Sequence, residues 1–153
     1  MADVEKVAEA EEIIAEVGEE RALSLSTRFL NQSDPLWKNA ANIEPIEGYQ
    51  DIICHGDKLG FVWKDANGIE STVSASEFAE ILKNSPVYKG GRIRLISCET
   101  GADDAIAAKY LSKYLGEEVM APTDIVHVFP DGEMVIGLDE WTNTGTWKVF
   151  TPN

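Results

Sequence analysis

Arg92-Ile-Arg-Leu-Ile-Ser-Cys98-Glu-Thr-Gly101 is the stretch on which the reading of the fold turns. Residues 92–97 form a short apolar run of the kind that a parallel strand covered on both faces shows. Cys98 closes that run, and Glu99-Thr100-Gly101 turns the chain into a helix predicted at about 102–115. Its expected face is Ile106, Tyr110, Leu111, Tyr114 and Leu115, with Gly116 as the C-terminal cap. Upstream, Asp51-Ile-Ile-Cys54 is a second such run, closed by His55-Gly56. Downstream, Val119–Ala121 reads as a third parallel strand. Between the first two lie a predicted hairpin and a helix. The hairpin pairs Leu59–Trp63 with Ile69–Val73 across Asp65-Ala-Asn-Gly68, and Ser74-Ala-Ser-Glu77 opens a helix at about 75–84 with a capping-box pattern. Strand, helix, strand, helix, strand is the order of an α/β fold with a mainly parallel sheet flanked by helices. A second hairpin is expected from Val126–Phe129 and Met134–Gly137, and Trp147–Phe150 as a last short strand.

The rest of the chain divides around that core. Residues 1–30 are predicted to hold an acidic N-terminal helix over 3–23, with Val4, Val7, Ile14 and Val17 at helical spacing. Residues 31–48, with Pro35, Pro45 and Gly48, read as a connection in which Trp37 packs on the core. Acids outnumber bases 27 to 13 over the 153 residues, for a formal charge of -14. Nucleic-acid binding rests on cations that neutralise phosphate, and an anionic membrane surface repels the same excess, so neither is an expected partner. The first residues do not resemble a signal peptide, and no apolar run approaches the length of a membrane span. Localisation is open between a cytoplasmic protein and a part of a larger exported one. Two cysteines, Cys54 and Cys98, are too few for a disulfide scaffold, although one bridge between them is conceivable.

Chemistry is expected at the carboxyl ends of the parallel strands, where open α/β sheets bind ligands. His55 and Cys98 both stand there. An imidazole beside a thiol helps form the thiolate and then protonates a leaving amine. The Gly56 and Cys98 N–H groups are candidates for an oxyanion hole, and a helix starting soon after Cys98 would favour the thiolate further. Asp57 and Glu99 flank the pair and could orient the imidazole or meet a basic side chain, and Thr123 and Asp124 follow the third strand and could line the same cleft. Each feature has a plainer reading. Cys98 alone fits a buried small hydrophobe, His55 alone a core histidine, and loop carboxylates are more often solvated. Alternation points Cys54 into the core, away from His55, and His127 falls in a hairpin strand as a structural residue. The His and Cys counts leave no zinc motif, and no cofactor is expected.

The two blocks Asp51-Ile-Ile-Cys-His55-Gly56 and Arg92-Ile-Arg-Leu-Ile-Ser-Cys98 resemble those of caspase-like cysteine peptidases, the group of caspases, gingipains, separases and the self-cleaving domains of clostridial toxins. The resemblance implies a caspase-like α/β domain over 49–153, endopeptidase activity with His55 and Cys98 as the dyad, a protein or peptide substrate and no metal. Ile93-Arg-Leu-Ile-Ser-Cys-Glu-Thr-Gly101, Val119-Met-Ala-Pro-Thr-Asp124, Pro130-Asp-Gly132 and Thr146-Trp-Lys-Val-Phe-Thr-Pro152 are similar to a tail module of bacterial polymorphic toxins and phage-associated proteins. That likeness covers 48–152 and implies an effector domain with an upstream module or a cognate inhibitor as partner. The Gln-Ala-Cys-Arg-Gly phrase of caspases is absent, which leaves the specificity pocket unassigned. A non-catalytic interaction module and a Cys–His acyltransferase or deamidase are the alternatives.

Overall fold

The computed structural model describes residues 34–64, 69–85 and 88–153. The acidic helix expected at 3–23 and the Asp65–Gly68 turn lie outside them. The fold is α/β. Strands β1 (Gln50–Ile53), β5 (Ile93–Ile96), β6 (Val119–Pro122) and β9 (Trp147–Phe150) form the main sheet in the order β1-β5-β6-β9. The first three are parallel, and β9 closes the edge antiparallel to β6. β2 (His55–Gly56), β3 (Phe61–Lys64) and β4 (Glu70–Val73) make an antiparallel meander, and β7 (Val126–Val128) and β8 (Met134–Ile136) a hairpin.

The two faces of the main sheet are covered differently. Ile52, Cys54, Ile93, Leu95, Val119 and Ala121 pack under α2 (Ala75–Asn84) and α3 (Ala107–Leu115), together with Phe61 and Phe78, whose rings stack. Ser74 caps α2 in a full capping box with Glu77, as the sequence predicts. The opposite face carries Ile53 and Ile96 against Val126 and Ile136 of the second hairpin and Ala40 and Ile43 from the segment before β1. That segment is more than a connection. It forms a short helix, α1 (Pro35–Asn39), and a 3₁₀ turn (Ala40–Asn42), with Trp37 packed on the core as expected.

The helix after Cys98 departs from expectation. It begins at Ala107 rather than near 102, because the intervening backbone bonds elsewhere. Gly101 N–H donates to Pro122 O at 2.9 Å, Ile106 N–H to Lys58 O at 2.8 Å and Ala108 N–H to Thr100 O at 3.0 Å. Residues 99–104 are therefore a series of turns braced on strand ends. Of the expected face, Leu111 is buried and Leu115 packs on the core, whereas Ile106, Tyr110 and Tyr114 are exposed and Ala107, Ala108 and Ser112 are buried in their place. Small residues let α3 approach the sheet closely, and the larger ones turn outward. Gly116 ends the helix at φ 71°, the left-handed cap that glycine favours.

Candidate active site

The register of β1 on β5 builds the site. Asp51 lies opposite Arg94, and Ile53 opposite Ile96. Successive side chains in a strand alternate faces, so both pairs project from the face away from α2 and α3. Arg94 is buried there in a forked pair with Asp51, with Nε–Oδ1 at 2.6 Å and Nη2–Oδ2 at 2.7 Å, and Nη2 also donates to Glu44 O at 3.0 Å. Two residues beyond the ends of these two strands stand His55 and Cys98. They line one pocket of about 210 Å³ with Pro35, Leu36, Asn39, Ile96, Val126 and Val128 among its walls. Cys54 also touches that pocket, but its residue is buried to 1% exposure and its thiol turns toward Ser97 Oγ at 3.6 Å. Both cysteines are free.

Beyond Cys54, whose N–H still donates to Ile96 O at 3.3 Å, the chain leaves the parallel sheet. His55 and Gly56 start the meander instead, paired with Val62 and Phe61. Asp57 N–H bonds Gly60 O, so Gly56–Phe61 falls at the wide pair of the ladder and Gly56 N–H points away from β3. Gly56 is required by close packing, since a Cβ there would stand 2.2 Å from Ser97 Oγ and 2.8 Å from Thr100 Cγ2.

The imidazole has a partner that the sequence did not suggest. Asp34 Oδ2 contacts His55 Nε2, while Asp34 Oδ1 accepts the Leu36 N–H at 2.9 Å as the N-cap of α1. The Asp34 side chain is 11% exposed and that of His55 39%. Asp34-Pro35 is a recognisable N-cap and first-turn proline, so a short helix there was legible, but nothing local connects it with a histidine 21 residues on. Asp57 and Glu99, the acids that flank the pair in sequence, do other things. Asp57 is exposed and accepts the Leu59 and Gly60 N–H groups of its own turn at 2.8 and 2.9 Å. Glu99, at φ 59°, donates its N–H to Asp124 O at 3.1 Å.

Thr123 and Asp124 brace loops outside the pocket lining. Thr123 Oγ1 accepts the Thr146 N–H at 2.9 Å, and Asp124 Oδ1 accepts the Ile125 N–H at 2.7 Å. Both Glu99 and Asp124 still lie close enough to influence the sulfur. Burial pushes the Cys98 thiol up from its ordinary value, and these two carboxylates add to the effect. The sulfhydryl donates to Val126 O at 3.7 Å. The expectation of a helix terminus favouring the thiolate is thus corrected. α3 starts only at Ala107, too far along the chain to act on the sulfur. His127 bonds Gly137 O at 3.1 Å through Nε2, a structural contact in the hairpin.

Residues 25–136 match a family described as a domain of unknown function, DUF8616. The chain belongs to that family. The DUF8616 stretch holds Asp34, His55 and Cys98 and stops before β9. No curated protein and no solved structure matches the chain. Among the described residues no helix is long and apolar enough to cross a membrane, and no cluster of three or more His, Cys, Asp or Glu side chains is placed to hold a metal ion.

Proposed function

We propose that this chain is a caspase-like cysteine endopeptidase domain in which Cys98 is the nucleophile and His55 the acid–base. The observation that carries the reading is the register. His55 and Cys98 each follow the Ile53–Ile96 pair by two residues, and both line one pocket. In the reaction the Cys98 proton passes to the imidazole, and the sulfur attacks the peptide carbonyl carbon to form a C–S bond. The C–N bond breaks as the imidazolium gives its proton to the leaving amine, and water activated by the same imidazole hydrolyses the thioester. Gly56 N–H, free of the β3 ladder, and Cys98 N–H are the candidate oxyanion donors. A protein or peptide fits as substrate, and the likeness to toxin and phage modules supports an effector role within a longer protein.

A second reading has an observation in its favour. Cys98 is largely covered and its thiol is pushed up by burial, as in a module of the same fold that binds a partner without chemistry. Alkylation with iodoacetamide separates the two. The enzyme reading expects Cys98 to react faster than Cys54 and to lose roughly a hundredfold or more of its rate in His55→Ala, the lower end of acid–base assistance. Equal rates in the native chain and His55→Ala would sink it. A peptide library then distinguishes cleavage from acyl transfer or deamidation.

A further inference from the structure

Asp34 is held more firmly than a loop acid would be. Pro35 follows it at the first position of α1, and Asn39 Nδ2 ties that helix to Val128 O at 2.9 Å. Asn42 Nδ2 donates to Pro130 O at 2.7 Å, and Leu36 and Trp37 pack on the same hydrophobic cluster as Cys98. The carboxylate therefore reaches His55 from a segment fixed to the second hairpin, independently of the strand that carries the imidazole. Its two oxygens divide their work, Oδ1 on the helix cap and Oδ2 on the ring.

We infer that Asp34 is a positioning residue for His55, fixing the neutral imidazole with its proton on Nε2 and its lone pair on Nδ1. A neutral histidine has one donor nitrogen and one acceptor nitrogen, and the partner of one decides the role of the other. A carboxylate accepts only, so the nitrogen facing it carries the proton. Nδ1 is then the atom left to take the proton of Cys98, and the carboxylate stabilises the imidazolium that results. The dyad becomes a Cys98–His55–Asp34 relay in which the third member comes from before the first strand. Its kinetic consequence rests on the peptidase reading, whereas the pairing itself does not.

The test must separate positioning from helix capping, because Asp34 does both. Asp34→Ser keeps a good N-cap residue and is too short to reach the ring. Imidazole ¹H–¹⁵N spectra of the full chain read the pair without any reaction. The Nε2 proton of His55 is expected as a protected resonance in the native chain and lost in Asp34→Ser, with Asp34→Asn preserving the melting temperature but not the resonance. Iodoacetamide kinetics supply the second arm. Asp34→Ser is expected to slow Cys98 roughly tenfold, and to have no further effect once His55 is Ala, since residues acting through one another are not additive. A ring spectrum unchanged by Asp34→Ser overturns the inference, as does an equal slowing in the His55→Ala background. A resonance that depends on Asp34 beside a Cys98 rate indifferent to His55 would leave the pairing standing and remove the peptidase reading instead.

Discussion

Cys54 and Cys98 are separated by one strand step and by opposite faces, and burial acts on both. Cys54 is pushed from the ordinary 9.0 to about 12, first by burial, with Cys98 adding and the Ser97 contact opposing. Its folded value lies above the unfolded one, so the native state keeps its proton between those values while the unfolded chain loses it. Stability from this group is therefore fully present below about 9 and declines as the pH rises toward 12. Urea midpoints measured at pH 8 and 11 should fall more steeply for the native chain than for Cys54→Ala. Equal slopes would show that the thiol is not shielded. Alternation along Asp51–His55 was enough to place Cys54 in the core from sequence. The plainer reading of Cys98 as a buried small hydrophobe anticipates its cover, but local pattern does not show that α1 and the second hairpin supply it.

Elements were legible where local chemistry decides them. The capping box Ser74-Ala-Ser-Glu77 gives α2 its first residue, and Glu77 N–H bonds Ser74 Oγ at 3.3 Å. Ser74→Ala should cost about 1 kcal/mol in thermal or urea denaturation, the usual worth of an N-cap side chain. A loss near zero would mean that packing of Phe78, Ile81 and Leu82 alone holds the first turn. The three parallel strands, both hairpins and the last strand fall where hydrophobic pattern put them. α3 did not, for the same reason in reverse. Residues 102–106 suit a helix locally, yet their N–H and C=O groups find partners on Glu99, Lys58 and the turn around them before the helix starts. Its exposed Tyr110 and Tyr114 follow from that start and from the close fit of Ala107 and Ala108 against the sheet.

Across the whole molecule one buried ion pair sets how the first two strands meet. Arg94 is 4% exposed at its side chain and Asp51 15%, and a slip of one residue between the strands would put the two side chains on opposite faces and break the pair. Asp51→Ala leaves a buried guanidinium with, among the described residues, Glu44 O and the Trp147 ring, whose centroid is 5.4 Å away. It should cost about 3–5 kcal/mol of unfolding free energy, the range for breaking a buried pair from one side. A double replacement of Asp51 and Arg94 by apolar residues should recover much of the loss, and equal losses in the single and double variants would deny the pair this role. Sequence by itself determined the α/β class, the strand and helix order, the burial of Cys54 and the strand-end placement of His55 and Cys98. Each of these follows from periodicity and capping within a few residues. Only the tertiary structure decided that Asp34 meets His55 and that α1 covers the sulfur. Those contacts join segments far apart in the chain, where local pattern carries no information and only the packing of one face of the sheet does.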